Sequence, residues 1–153
     1  MTNNYILRNI RYALNLDDSE MHAIFSLGGH DIDSATLSAL LKKEDETGHI
    51  ACSDNIIGLF LDALIVHKRG RKEPGPGKIK PAALTNNDIL KKLRIALELR
   101  EDDMLNILKL GDVDISKSEL TALFRKKGHK HYKECGDQFL RYFFKGLAVR
   151  QRS

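Results

Sequence analysis

Six basic side chains are concentrated between positions 117 and 133, and they are the strongest candidates for recognition chemistry in this chain. They are Lys117, Arg125, Lys126, Lys127, Lys130 and Lys133. Lysine and arginine at this density bind phosphate groups, and the release of counterions from a nucleic acid drives that binding. The stretch therefore predicts a nucleic-acid-binding surface formed by these six residues.

The predicted elements around these residues have the outline of a helix-turn-helix. A helical pattern runs from Met104 to Leu110 and stops at Gly111, and a second pattern runs from Ser116 to Lys126. The second helix would bring four basic residues towards DNA phosphates, namely Lys117, Arg125, Lys126 and Lys127. The turn is longer than the roughly three or four residues usual in that motif. The alternative is a corner between two helices with a solvated outer face.

One short segment, His129-x-His131-x-x-x-Cys135, contains side chains of types that bind transition metals. A closed zinc site needs a further ligand, usually from a second paired motif. The matching stretch earlier in the chain offers only His49 and Cys52. We therefore expect loop histidines exposed to solvent and predict no metal site.

Catalytic motifs are absent from the sequence. The chain has no glycine-rich loop before Lys-Ser or Lys-Thr, no His-Glu-x-x-His and no nucleophile elbow. Acidic residues at the predicted helix starts are explained by capping and by the helix dipole. We expect a protein that is not an enzyme, with no cofactor and no small-molecule substrate.

The chain is a tandem duplication. Residues 2–70 align with 85–153 at a constant offset without a gap, and about 25 of the 69 positions are identical. We predict three parts: helical repeat 1 (1–70), a linker (71–84) and helical repeat 2 (85–153). The linker is basic and rich in proline and glycine, and it contains all three prolines of the chain. Such a segment forms neither a helix nor an inner strand.

Charge is divided unevenly between these parts. Repeat 1 has a net charge of −4, the linker +3 and repeat 2 +5, which gives +4 for the chain. An acidic half joined to a basic half is typical of proteins with acidic partners, including nucleic acid. Two other interpretations also fit: solvated faces that diverged after duplication, or a dipolar molecule that stacks head to tail. Repeat 1 follows Lys43 with Glu44, Asp45 and Glu46, so its surface disfavours an anion.

Hydrophobic periodicity predicts four helices in each copy and no sheet. The fold class is therefore all-α, with two pseudo-symmetric four-helix repeats. Asn3 and Asn4 are predicted to cap the first helix, which should run to about Leu16. The fourth helix of each copy is the most apolar, and we expect it to be central.

Two further helix starts have the spacing of a capping box. They are Thr85 with Asp88, and Ser116 with Glu119. In each pair the first side chain would accept from the backbone of the second residue, which would reach back to the first. Both pairs therefore predict sharply defined helix starts in repeat 2.

Arg11 and Arg94 occupy the same position in the two copies, beside the apolar stripe of the first helix. An arginine in such a place either anchors a ligand or covers the edge of the core with its aliphatic stem. The sequence favours the second interpretation. Cys52 and Cys135 are also equivalent, and we expect small buried side chains. A disulfide between them would require a pseudo-twofold axis that brings them together.

The sequence predicts a cytoplasmic protein with no membrane partner. Met1 and the residues after it lack the basic start and apolar run of a signal peptide. The most apolar stretch, Ile56 to Val66, has about half the length needed for a membrane span and contains Asp62.

The paired motifs resemble those of the YehS-like family, a bacterial group with a duplicated domain of unknown function. The resemblance depends on Thr-Asn-Asn-x-Ile-Leu at both starts, on Met-x-x-Ile-x-x-Leu-Gly from Met21 and from Met104, on Asp-Ile before the third helix, and on Cys-x-Asp before the fourth. It covers nearly the whole chain. It implies a small cytoplasmic bacterial protein and brings no catalytic or binding residues.

Two functions from different classes follow from these observations. The leading hypothesis is a non-enzymatic nucleic-acid-binding or regulatory protein that uses the basic face of repeat 2. The alternative is a protein–protein interaction module or a homo-oligomeric scaffold with no nucleic-acid role. Clustering of the six basic residues on one face would favour the first, and their dispersal would favour the second.

Overall fold

The structure, a computed structural model, describes residues 1–70 and 84–152. Within these residues the chain forms eight helices and no strand, which confirms the predicted all-α fold class. The helices are α1 (Asn3–Ala13), α2 (Asp18–Leu27), α3 (Ser34–Leu41), α4 (Asp54–Arg69), α5 (Asn86–Ala96), α6 (Glu101–Leu110), α7 (Lys117–Leu123) and α8 (Asp137–Arg152).

The helices divide between two compact units, Met1–Leu84 and Thr85–Ser153, called unit 1 and unit 2 below. The predicted linker (71–84) lies outside the described residues except for Leu84. The backbone N–H of Leu84 donates to the Asp54 carboxylate at 3.4 Å. Across the described parts of the chain, none of the helices has both the length and the apolar character that crossing a membrane requires.

The last helix of each unit supplies much of its core. In unit 1, α4 packs against α1 and α2. Phe60 and Leu64 of α4 are fully buried. The centroid of the Phe60 ring lies 4.9 Å from the centroid of the Phe25 ring on α2. In unit 2, α8 packs against α5 and α6 and buries Phe143 and Leu147. These apolar residues recur every three or four positions, as one buried helix face requires.

The predicted capping boxes of unit 2 are both present. Ser116 Oγ accepts from the Glu119 N–H at 3.1 Å, and the Glu119 carboxylate accepts from the Ser116 N–H at 3.2 Å. The same exchange joins Thr85 and Asp88. Each box satisfies two backbone donors that a helix start leaves without an intrahelical partner.

The prediction that Asn3 and Asn4 cap α1 is wrong. Thr2 is the N-cap, and its hydroxyl accepts from the Tyr5 N–H at 3.1 Å. The Asn3 side chain instead reaches the start of α4, where its amide donates to the Asp54 carboxylate at 2.7 Å. A threonine before two asparagines can cap equally well, and this leaves both amides free for long-range contacts.

Asn4 is a buried connector. Only 2% of the residue is exposed. Its Nδ2 donates to the backbone carbonyls of Leu40 and Ile50, both at 2.8 Å, and its Oδ1 accepts from the Cys52 N–H at 2.9 Å. One side chain therefore joins α1 to the end of α3 and to the segment that leads into α4.

Asn87 repeats this arrangement in unit 2. It donates to the carbonyls of Leu123 and Lys133, both at 2.9 Å, and accepts from the Cys135 N–H at 2.8 Å. Buried backbone groups outside helices must find such partners, because water cannot reach them. The two asparagines therefore fix the loop after the third helix in each unit.

The first helix is shorter than predicted. α1 ends at Ala13 with Leu14 as its C-cap, whereas the pattern predicted an end near Leu16. Asn15 has φ = 54°, a left-handed conformation that stops the helix and that asparagine tolerates better than most residues. Leu16 is nevertheless buried, which explains why the apolar pattern continues past the helix end.

Candidate nucleic-acid interface

Helix α7 presents one polar face of the candidate site. Its Leu120 and Leu123 are buried, so Lys117 and Thr121 on the other face are exposed. Lys117 is the first residue of the helix, directly after the Ser116 cap. The capping box therefore fixes the backbone from which the Lys117 side chain extends.

The prediction that the recognition helix runs from Ser116 to Lys126 is wrong at its C-terminal end. α7 ends at Leu123, and the Phe124 N–H closes it by bonding to the carbonyl of Thr121 at 3.0 Å. Arg125, Lys126 and Lys127 therefore lie in the loop that follows. A helix of two turns that ends before most of its cations lacks the shape of a major-groove reading helix.

The loop after α7 folds back against the helix. The Lys133 N–H donates to the Ala122 carbonyl at 3.0 Å, and turns are closed by bonds from the His129 N–H to Lys126 and from the Tyr132 N–H to His129. Asn87 holds both ends of this loop through its contacts with the carbonyls of Leu123 and Lys133. The backbone from which the basic side chains project is therefore anchored at two points.

An open groove of about 700 Å³ lies between α7 and this loop. Its lining includes four of the six predicted basic residues, namely Lys117, Arg125, Lys130 and Lys133. Lys126 and Lys127 are exposed in the turn but do not line the groove. The structure thus brings four of the predicted residues together and leaves two beside them.

The groove also contains polar side chains that the sequence did not single out. Ser118 and Thr121 come from α7, and His131 and Tyr132 come from the loop. Partial burial and then the Glu134 charge raise the pKa of Tyr132, so this phenol stays protonated at neutral pH. His131 and Tyr132 lie in the loop 127–134, which has no residue identical to the matching loop 44–51 of unit 1, and that divergence was the available indication.

One carboxylate, Glu119, lies among the cations. The Ser116 backbone N–H and side chain, and to a lesser extent Lys133, lower its pKa, so it is ionised at neutral pH. The Lys133 ammonium lies 3.9 Å from it. Four cations face one carboxylate along the lining, which leaves an excess of three positive charges.

The matching surface of unit 1 lacks this excess. Ser34, Thr47 and Ile50 stand where unit 2 has Lys117, Lys130 and Lys133. The one retained cation, Lys42, donates to the carbonyl of Thr47 at 2.7 Å and so closes its own loop. The basic groove is therefore a property of unit 2.

In the His129-x-His131-x-x-x-Cys135 segment, the histidines and the cysteine differ in their exposure to solvent. Nδ1 of His129 accepts from the His131 N–H at 3.0 Å, and both histidines are exposed while Cys135 is buried. No group of three or more metal-binding side chains occurs in the part of the chain that the structure describes. Cys52 and Cys135 are free thiols, and burial raises the pKa of each to about 12, so both stay protonated at neutral pH.

Comparison with known proteins identifies a relative but no solved structure. Residues 3–70 and 86–153 each match the family described as "Protein of unknown function (DUF1456)". The chain is 43% identical over 151 residues to "Uncharacterized protein YehS" of Escherichia coli (strain K12), which covers 99% of this chain and 97% of that protein. No solved structure gives a significant match. The chain therefore belongs to the DUF1456 family, as a YehS-like protein with two copies of the family domain.

Proposed function

We propose that this chain is a non-enzymatic nucleic-acid-binding protein and that the groove of unit 2 holds a phosphate backbone. The observation that carries the proposal is the convergence of Lys117, Arg125, Lys130 and Lys133 on one groove with an excess of positive charge. Mobile lysine ammonium groups and an arginine guanidinium suit phosphate oxygens, which carry charge and accept several hydrogen bonds.

A single strand fits this groove better than a duplex. Tyr132 and His131 line it beside the cations, and rings next to a basic groove are the usual means of stacking unpaired bases. The short α7 offers no extended helix for a major groove. We therefore expect weak sequence preference and binding that depends on charge.

The test is an anisotropy titration of fluorescent single-stranded DNA and RNA of about 20 nucleotides, which exceeds the site size of small single-strand-binding modules. With about three phosphates neutralised, affinity for the full-length protein should fall roughly 20-fold between about 50 and about 200 mM salt. No binding at the lower salt concentration would overturn the proposal, because counterion release is then most favourable.

A matched pair of variants locates the site. Lys117→Glu/Lys130→Glu reverses two charges in the groove, and Lys126→Glu/Lys127→Glu reverses two in the adjacent turn. The groove variant should bind nucleic acid more than about 30-fold more weakly, and its affinity should depend less on salt. The affinity of the turn variant should fall only a few-fold. Equal losses would show a response to net charge alone and would contradict a built site.

One observation favours the alternative, a protein-interaction module. Leu27 and Leu110 occupy the same position at the ends of α2 and α6, and they are 42% and 37% exposed. An apolar side chain displayed twice could contact another protein or a second copy of this chain. Solution mass across a concentration series tests self-association. A stable oligomer without nucleic-acid binding would select this alternative.

A further inference from the structure

Unit 1 contains a pocket that shares three equivalent positions with the groove of unit 2, namely Ser34, Ser38 and Lys42, but extends to α1 and α2 and differs in chemistry. It has a volume of about 320 Å³ and is lined by residues of α1, α2 and α3 and of the loop that follows α3. Arg11 lies on one side, and Leu37 and Leu41 of α3 provide apolar surface. Ser34 and Ser38 add hydroxyl groups. The volume and the mixed lining suit a small molecule.

The equivalent residues of unit 2 can be compared with those of this pocket. Arg94 of unit 2 corresponds to Arg11, and Phe124 corresponds to Leu41. The Arg94 guanidinium carbon lies 4.7 Å from the centroid of the Phe124 ring, and Arg94 Nε donates to the Leu99 carbonyl at 3.1 Å. In unit 2 the arginine therefore has an aromatic ring against its face and an acceptor for its Nε–H.

In unit 1 the equivalent arginine has neither of these within the described residues. Leu41 supplies a branched aliphatic chain in place of the ring. Arg11 donates through its terminal nitrogen to Asp18 at 2.8 Å, but its Nε is shielded from solvent and has no hydrogen-bond partner. The Asp18 contact therefore takes the place of the two contacts that hold Arg94 in unit 2.

We propose that the unit 1 pocket binds a small, uncharged heteroaromatic ring of the nucleobase type, as found in a nucleoside. The ring lies against the Arg11 guanidinium, as the Phe124 side chain lies against Arg94 in unit 2. Ser34 and Ser38 are placed to contact the polar edge of the base.

The charges of the lining support an uncharged ligand. Arg11 and Lys42 are balanced by Asp18 and Glu46, so the four charged residues of this lining carry no net charge. A phosphate would gain little from such a surface, and repeat 1 as a whole is acidic. The sequence assigned no small molecule to this chain, because the space beside Leu41 cannot be read from residue types.

The test uses the full-length protein and adenosine as the probe, followed by ¹⁵N and methyl NMR. Binding should be saturable and should shift the Arg11 Nε–Hε and Leu41 methyl resonances. Leu41→Phe, which gives unit 1 the residue of unit 2, should weaken adenosine binding by roughly tenfold or more, because the new ring occupies the volume of the base. The reciprocal variant Phe124→Leu should retain the wild-type affinity.

Arg11→Lys provides a second variant in case Leu41→Phe perturbs folding. It keeps the positive charge but removes the planar guanidinium on which the ring stacks, so adenosine binding should weaken, whereas Arg94→Lys should leave it unchanged. Failure to observe saturable shifts with adenosine would overturn the proposal. Shifts confined to the groove residues Lys130 and Tyr132, or unchanged binding in both unit 1 variants, would overturn it equally. The result does not depend on nucleic-acid binding by unit 2, since the two sites share no residue.

Discussion

Unit 1 and unit 2 have the same four helices, yet their second and fourth helices cross at different distances. In unit 2, a Cβ placed on Gly111 would overlap the backbone of Tyr142, and one on Gly146 would overlap the Ile107 carbonyl. In unit 1, a Cβ on Gly28 would lie 3.3 Å from the Leu59 oxygen, which is tight but not overlapping.

The residue that faces this glycine differs between the units by one methyl group. Ala63 of α4 stands where α8 has Gly146, and its Cβ lies 3.4 Å from the position of a Cβ on Gly28. Two facing glycines let backbones approach until carbonyl and amide groups touch, whereas an alanine keeps them apart. The same fold therefore has a closer approach of these helices in unit 2, and we expect the residue at this position to contribute to the difference.

Substitution of Gly146 gives the largest effect that we expect. Gly146→Ala should destabilise unit 2 by more than about 3 kcal/mol, because the overlap with the Ile107 carbonyl forces α6 and α8 apart. This outweighs the gain of about 1 kcal/mol that alanine brings to an ordinary helix interior. Urea unfolding followed by circular dichroism gives the change in free energy.

The reciprocal change, Ala63→Gly in unit 1, is the control. It creates no overlap and should cost only about 1 kcal/mol in helix propensity. Equal destabilisation by the two variants would show that the closer crossing in unit 2 has no energetic consequence.

The buried asparagines should respond alike, because their contacts are the same in both units. Asn4→Ala and Asn87→Ala each remove three hydrogen bonds and leave backbone groups without partners, at a cost of about 3 kcal/mol. Denaturation measures the stability, and hydrogen exchange at Cys52 and Cys135 locates the change. Asn87→Ala should also weaken nucleic-acid binding, since it releases the loop that carries the groove, whereas Asn4→Ala should not.

A difference in stability between these two variants would argue against the equivalence of the two asparagines. Equal nucleic-acid affinity in both would argue that the loop position does not control the groove.

The two buried thiols, Cys52 and Cys135, should make the free energy of unfolding depend on pH. This effect is smaller than the previous ones and should be the same in both units. In the folded protein each thiol has a pKa of about 12, above the ordinary value of 9.0. Below pH 9 the thiols are protonated in both the folded and the unfolded chain, so the free energy of unfolding has its full value there. It falls as the pH rises from about 9 to about 12, because the unfolded chain then loses thiol protons that the folded chain retains. Each thiol should contribute a decline of about 1 kcal/mol per pH unit in that window.

The measurement compares unfolding free energies at pH 8 and pH 10 in the wild type and in Cys52→Ala and Cys135→Ala. Each single variant should reduce the decline by a similar amount, and the double variant should remove both contributions. A decline that is unchanged in the variants would mean that other groups cause it.

The sequence was sufficient for much of the fold because duplication gave every helical pattern twice. Capping spacings at Ser116 and Thr85 identified helix starts correctly, since a cap is a local interaction. The role of Asn4 could not be obtained in this way, because its partners lie 36 to 48 residues away. Two motifs of the repeat, Thr-Asn-Asn and Cys-x-Asp, are the two sides of one contact.

The candidate site was predictable only in part. Residue types identified the six cations, but their distribution between groove and turn depends on where α7 stops. The apolar pattern of α7 continues through Phe124, and so the sequence extended the helix past Leu123. Because Phe124 packs against Arg94 beyond the helix end, its apolar character reflects a tertiary contact and not helix periodicity.

We expect nucleic-acid binding to depend on position in the unit 2 groove and not on total charge. An exchange of two positions between the units separates these two causes. Lys117→Ser/Lys130→Thr gives unit 2 the residues of unit 1, and Ser34→Lys/Thr47→Lys gives unit 1 those of unit 2. The quadruple variant has the net charge of the wild type.

We expect Lys117→Ser/Lys130→Thr to weaken single-strand binding by roughly tenfold in an anisotropy titration at about 50 mM salt. The quadruple variant should bind as weakly, because the transferred lysines lie on an acidic unit. Recovery of the wild-type affinity in the quadruple variant would show that total charge, and not position in the groove, determines binding.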